Sequence, residues 1–184
     1  MQVQTTNIEG VLILTPQVFG DSRGYFLESF NRDNFDDAIG NSEFEFVQDN
    51  ESMSSKGVLR GLHYQSPPYD QGKLVRVIQG EVLDVVVDIR QDSITYGQYF
   101  SITLNGTSKQ MLWIPPGMAH GFASLENNTI FAYKCTEFYR PESEGCILWN
   151  DPDLSIIWGV QEPIISDKDK RGVLFRDFVT PFTS

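Results

Sequence analysis

Two imidazoles, His63 and His120, and two thiols, Cys135 and Cys146, are the residues with which this chain could do metal or acid–base chemistry. A histidine-based metal site in a β-barrel takes two or three imidazoles with a carboxylate, often as His-x-His on one strand. His63 is instead followed by Tyr64 and Gln65, and His120 stands alone, so no metal is expected. The cysteines are too few for a disulfide framework and are not spaced as a zinc knuckle, so both read as buried, reduced thiols.

Each remaining candidate has a plain alternative. His63, within Gly57-Val-Leu-Arg-Gly-Leu-His-Tyr-Gln65, is either a proton-transfer group or a core histidine satisfied by backbone. His120, in the turn Pro115-Pro-Gly-Met-Ala-His-Gly-Phe122, is either functional or holds a loop carbonyl. Alternation places Tyr133, Cys135, Glu137 and Tyr139 on one strand face beside Phe131, which would aim two phenols and a carboxylate inward. Buried phenols commonly exist to make one hydrogen bond. Asp167-Lys-Asp-Lys-Arg171 alone reads as a solvated charged turn.

The elements that must position these groups are mostly strands. Gly10–Thr15 and Tyr25–Phe30 are β-rich runs, and Glu43–Gln48 alternates as a further strand. Asn31 reads as the N-cap of a short helix over Arg32–Ile39, closed by Gly40. Lys73–Ile78 and Glu81–Ile89, joined by Gln79-Gly80, read as a hairpin, and Tyr99–Leu104 leads into a second hairpin turn at Asn105-Gly106. Met111–Ile114, Gly121–Leu125, a long strand over Thr129–Tyr139 and a short one over Cys146–Trp149 complete the pattern. The tail after Asp151 is irregular, with room for short helices. This spacing predicts an all-β, antiparallel sandwich or barrel in one domain, 1–184.

Size and charge bound the partners. A chain of 184 residues buries roughly 70% of its unfolded surface, enough for a core without staples. A net charge of −11 makes nucleic acid and anionic membrane poor partners, so an anionic ligand needs a locally basic pocket. The N-terminus lacks a signal-peptide pattern, and no apolar run nears the roughly 20 residues that span a bilayer. A soluble cytoplasmic protein is expected.

Individually weak, these segments occur in one order with Asp21-Ser-Arg-Gly24, Gly80-Glu-Val-Leu-Asp-Val-Val-Val-Asp-Ile-Arg90, Tyr133-Lys-Cys-Thr136, Trp149-Asn-Asp-Pro-Asp-Leu154 and Ile165-Ser-Asp-Lys-Asp169. Together, from about Gly10 to Phe175, they closely resemble the dTDP-4-dehydrorhamnose 3,5-epimerase family. The resemblance implies a cupin-type jelly roll, a homodimer, no metal or organic cofactor, and a dTDP-linked 4-keto-6-deoxy sugar as substrate. It further implies that His63 is the base, oriented by Asp169, that Lys73 stabilises an enolate, and that Tyr133 is the acid on the opposite face. Arg60 and His120 then line the sugar and phosphate site, with Tyr139 a second pocket tyrosine. Gln48, Asn50 and Lys168 are further substrate contacts. Arg23, Phe26 and Glu28 match a segment that reaches the nucleotide from the partner subunit.

That chemistry suits these residue types. A proton α to a ketone leaves only with a positioned base and a stabilised enolate oxygen. An unperturbed imidazole, titrating near 6.5, is a suitable base at neutral pH. A carboxylate on its other nitrogen fixes the tautomer and stabilises the imidazolium. An ammonium about 3 Å from the oxyanion could lower the barrier by several kcal/mol. Epimerisation also needs a proton donor on the far face, which a phenol supplies. Arg23, Arg60, Lys73 and either Arg76 or Lys168 are the cations available to a pyrophosphate, and Phe26 or Tyr139 could stack on thymine.

Arg60 and His63 are three residues apart, so a regular strand would aim them at opposite faces. A bulge or kink near Gly61 is therefore expected. Three other readings stay open: a dTDP-keto-sugar epimerase acting at C3 alone, a non-catalytic nucleotide-sugar-binding cupin, and a metal-dependent cupin oxygenase.

Overall fold

A computed structural model describes residues 1–40 and 43–183. Its α-helix, α1 (Arg32–Ile39), begins where the Asn34 N–H donates to the Asn31 side chain at 3.2 Å, and closes where the Gly40 N–H donates to the Asp36 carbonyl at 2.9 Å. Strands β1 (Gln2–Thr5), β2 (Leu12–Thr15), β3 (Val18–Asp21) and β4 (Gly24–Leu27) precede it. Then come β5 (Gln48–Ser54), β6 (Val58–Gln65), β7 (Lys73–Gln79), β8 (Glu81–Asp88) and β9 (Tyr99–Asn105). After these follow β10 (Met111–Ile114), β11 (Met118–Ser124), β12 (Thr129–Cys135), β13 (Glu144–Cys146) and β14 (Ile164–Ile165). Among the described residues, no helix is long and apolar enough to cross a membrane.

The first sheet runs β1-β2-β10-β7-β12-β5. The second runs β13-β6-β11-β8-β9, with β14 lying parallel to β6. Strands β3 and β4 form a separate hairpin. From β5 to β12 the chain crosses between sheets at nearly every turn, as in a jelly roll, and only β8 and β9 are consecutive neighbours.

This crossing corrects both hairpins expected from sequence. Strand β7 belongs to the first sheet and β8 to the second, so Gly80 turns a corner between layers. Its φ of +81° suits glycine, and a Cβ there would lie 2.4 Å from Thr129 Oγ1. The turn after β9 likewise leads across, to β10.

Other boundaries also moved. Strand β12 stops at Cys135, so Glu137 and Tyr139 leave the expected strand face. His120 lies within β11 rather than in the turn before it. The short strand expected at Cys146–Trp149 sits at Glu144–Cys146, and β14 adds a further one in the tail. Residues 43–47 are not a strand, although Phe44 and Phe46 pack on Trp113 with ring centroids 5.2 and 6.0 Å away.

Three packed interfaces follow from strand alternation. Val82 and Val86 of β8 face the inter-sheet core with Val75, Val77, Phe122 and Phe131. The intervening Val85 and Val87 face outward, against Leu154, Trp158 and Phe182 of the tail. This double coverage is why β8 reads as a nearly continuous apolar run. On the far side of the first sheet, Phe35 of α1 packs on Trp113 and Leu74.

Candidate active site

The same alternation aims polar side chains into one end of the inter-sheet space. His120 and Phe122 point inward from β11, while Ala119 and Ala123 of that strand pack outward. On β12, Phe131 and Tyr133 point inward, as does Lys73 on β7.

Strand β6 obeys the rule only because it is broken. His120 pairs with His63 and Phe122 with Arg60, so two steps on β11 span three on β6. This extra residue is the bulge expected at Gly61, whose φ is +134°. Leu59 and Leu62 both pack outward, while Arg60 and His63 both line the cavity.

The resulting cavity holds about 500 Å³. The second sheet contributes Arg60, His63, His120 and Phe122, the first contributes Ser52, Lys73, Phe131 and Tyr133, and the tail adds Ser166, Lys168 and Asp169. Arg60, Lys73 and Lys168 thus bring three cations to one pocket of a chain with net charge −11.

His63 Nε2 lies 2.6 Å from Asp169 Oδ1, with the carboxylate side chain only 4% exposed. An ionised carboxylate only accepts, so Nε2 carries the proton and Nδ1 keeps the lone pair. Burial pushes the Asp169 carboxyl up, but hydrogen bonds from His63, Ser166 and the Gly61 amide outweigh it and hold the group below its ordinary value. His120 repeats the arrangement, with Nε2 at 2.9 and 3.0 Å from the two oxygens of the buried Asp84.

Across the cavity, burial pulls the Lys73 ammonium below its usual range, against the opposing influence of Cys135, Glu144 and Asp84. Lys73 forms no ion pair among the described residues, so its charge is available to a ligand. The Tyr133 phenol is pushed up, first by burial and then by Cys135, so it holds its proton. An imidazole with a free lone pair, a protonated phenol and an ammonium line one space, as removal and return of a proton beside a carbonyl require.

Donor atoms of His63, Cys146 and Asp169 also lie within 4.8 Å of one another. Burial pushes the Cys146 thiol up to about 12, and Nε2 is already committed to Asp169, so the set is better suited to a neutral thiol beside an acid–base pair than to a cation. Cys146 is half-buried rather than buried, whereas Cys135 is fully buried; both are free thiols.

The other expected residues are distributed around this centre. The Tyr139 hydroxyl donates to Glu144 Oε2 at 2.8 Å, and the same oxygen pairs with Lys168. Tyr139 is half exposed and sits beside the cavity rather than on its wall. Gln48 donates to Asn50 at 2.9 Å and accepts the Tyr139 N–H at 3.0 Å, while Asn50 turns its amide toward Cys135. Arg76 faces an outer groove with Leu74, Ala132 and Lys134.

Arg23, Phe26 and Glu28 lie away from the cavity, on or just after the β3–β4 hairpin. Arg23 pairs with Asp21, Phe26 packs on Phe19, and Glu28 accepts from Asn31 and Asn34. Sequence reasoning missed Asp84, Ser166 and Glu144. For Asp84 there was a signal, a carboxylate on the inward face of a valine strand, which demands a buried partner.

Comparison with known proteins agrees with this geometry. The model of the family described as dTDP-4-dehydrorhamnose 3,5-epimerase matches residues 5–177. A Shigella flexneri protein of that name is 53% identical over 177 residues, covering 96% of this chain and 97% of its own. The solved Legionella pneumophila dTDP-6-deoxy-D-glucose-3,5-epimerase, in complex with dTDP-4-keto-L-rhamnose, superposes with a TM-score of 0.93 at 47% identity, covering 97% of this chain and 94% of its own. A Streptomyces bikiniensis 3'-monoepimerase, ChmJ, in complex with dTDP-quinovose, gives a TM-score of 0.87 at 32% identity, covering 93% of this chain and 86% of its own.

Proposed function

This chain belongs to the dTDP-4-dehydrorhamnose 3,5-epimerase family, and from that premise we infer how its own residues carry out the reaction. It is an isomerase that converts dTDP-4-dehydro-6-deoxy-D-glucose to dTDP-4-dehydro-L-rhamnose. The observation carrying the residue roles is the placement of His63, paired to Asp169, on one sheet, with Tyr133 and Lys73 on the other, around a shared cavity.

His63 Nδ1 removes the proton from a carbon beside the C4 ketone. The C–H electron pair becomes the enolate π bond, and negative charge develops on the C4 oxygen. Lys73 stabilises that oxyanion, and Asp169 stabilises the imidazolium. The Tyr133 hydroxyl then delivers a proton to the opposite face. Solvent takes the proton held by His63 and restores the phenol. Repeating the cycle at the other α carbon inverts both C5 and C3. Arg60, His120 and Lys168 receive the sugar and pyrophosphate, with Gln48, Asn50 and Tyr139 as further substrate contacts.

The proposal includes a homodimer working in the cytoplasm. Supporting the dimer, the β3–β4 hairpin leaves Phe19 53% and Phe26 64% exposed, an aromatic surface suited to a second copy. Arg23, Phe26 and Glu28 would then meet the partner's nucleotide. Light scattering at working concentrations tests this, with a monomer the adverse result.

A 3-only epimerase is the second reading, favoured by the likeness to the Streptomyces bikiniensis 3'-monoepimerase. Incubation with dTDP-4-keto-6-deoxyglucose in D₂O separates the two. Deuterium at both C3 and C5 is expected, and label at C3 alone would select the second reading. Binding without any exchange would sink both.

A further inference from the structure

We infer that Gln65 is a positioning residue for ligand binding, acting through Tyr139: together with Gln48 it fixes both peptide groups that flank the Tyr139 Cα. This rests on the reading of Tyr139 as a contact to the dTDP-linked substrate.

Strand β12 ends at Cys135, and Tyr139 follows in a stretch that is exposed over 138–140 and has no regular secondary structure. With no ladder to hold the backbone there, the ring is placed by whatever its neighbouring peptide groups bond to. Gln65, the buried last residue of β6, donates from Nε2 to the Phe138 carbonyl at 3.2 Å and accepts the Arg140 N–H on Oε1 at 2.7 Å. Gln48, the first residue of β5, accepts the intervening Tyr139 N–H at 3.0 Å. The 138–139 peptide is therefore gripped at its oxygen and its nitrogen, and the 139–140 peptide at its nitrogen, by side chains from the two opposed sheets. With the backbone so set, the phenol donates to Glu144 Oε2 at 2.8 Å.

A second donation from Gln65 Nε2, to the Tyr69 carbonyl at 2.6 Å, ties the loop between β6 and β7 to the same amide. Two donors and an acceptor at one buried point call for a carboxamide, since an ionised carboxylate cannot donate. None of these bonds involves the acid–base groups. Lys73 enters β7 behind contacts of its own: the Gly72 N–H donates to Thr136 Oγ1 at 2.8 Å, and the Thr136 N–H donates to the Gly72 carbonyl at 3.0 Å. His63 keeps its pairing with β11 and β13. Loss of the Gln65 amide thus frees Tyr139 and leaves the proton-transfer centre in place.

Calorimetric titration with dTDP compares Gln65→Leu, Tyr139→Ala and the double variant with the wild type. Tyr139→Ala should weaken Kd roughly tenfold or more, and Gln65→Leu by a similar factor. The double variant should bind no more weakly than Tyr139→Ala alone, because both changes act through one ring. In turnover, Gln65→Leu should raise KM by that same factor and hold kcat within about threefold of the wild type. A glutamine that only stitches two loops together would lower the melting temperature and leave Kd where it was. If the leucine variant fails to fold, Gln65→Glu keeps the size and the acceptor for Arg140, loses both donations, and should show the same weakening. An unchanged Kd in whichever variant folds, or losses that add in the double variant, overturns the inference.

Titration with dTDP needs no turnover, so a wild type that leaves the keto-sugar unchanged fails the proposed function while Kd still judges Gln65. An unchanged Kd in Tyr139→Ala fails the reading of Tyr139 and the inference with it. Weakening in Tyr139→Ala with none in the Gln65 variants fails the inference alone.

Discussion

Gly61 on β6 and Gly121 on β11 lie back to back with no room for a side chain between them. A Cβ on Gly61 would sit 2.5 Å from Gly121 Cα, and one on Gly121 would sit 2.7 Å from the Arg60 carbonyl oxygen. The bulge that aims His63 therefore depends on two glycines, on neighbouring strands.

Gly61→Ala meets both a backbone clash and a φ of +134°. It should cost about 3 kcal/mol or more, lowering the melting temperature by roughly 5–10 °C. Calorimetry checks this, and an unchanged transition would show that β6 can carry its bulge elsewhere.

His63→Ala should reduce turnover by about 10³-fold or more, with fold and dTDP binding retained. The ring is part-exposed on the cavity wall, so its loss leaves no sealed void. Near-normal turnover would remove His63 from the role of base.

Tyr133→Phe deletes only the phenolic hydroxyl. Epimer formation should drop more steeply than solvent exchange at the α carbon, because the first proton still leaves to His63. Proton NMR in D₂O follows both rates in one sample. Equal losses would argue that Tyr133 does not deliver the second proton.

Asp88 tests stability apart from chemistry. Its carboxylate is fully buried and takes hydrogen bonds from Arg90, Ser93 and Thr95 at 2.5–3.0 Å. Burial pushes its carboxyl up, and these donors bring it below the ordinary value of 3.8. The depressed value means this stabilisation is fully present above the ordinary value and fades as pH falls through the folded one. Asp88→Asn should cost about 3 kcal/mol at neutral pH, and the gap from wild type should narrow as pH drops below 3.8. Denaturant unfolding at several pH values measures it, and a gap independent of pH would refute the charge as its source.

Local chemistry made some of this legible and long-range packing hid the rest. The Asn31 cap and Gly40 stop define α1 because both signals lie within a few residues of it. The spacing of Arg60 and His63 required a bulge because both residues were assigned to one pocket. By contrast, Gln79-Gly80 has the same local pattern whether the next strand pairs alongside or crosses to another layer. The decision lies with Thr129 pressing on Gly80, nearly fifty residues away. Tyr139 was misplaced because alternation carries no marker for where β12 ends. Glu144 was overlooked because its partner, Lys168, comes within reach only when the tail docks on β6.

Asp169 also has consequences for the timing of biosynthesis. Every strand of both six-stranded sheets, β14 included, is translated before it, so a chain emerging from the ribosome can assemble most of its sandwich while His63 still lacks its carboxylate. Maturation of the enzyme thus ends with the tail settling against β6, and proteolytic nicking between Asp151 and Ser166 would leave a folded shell that is chemically silent.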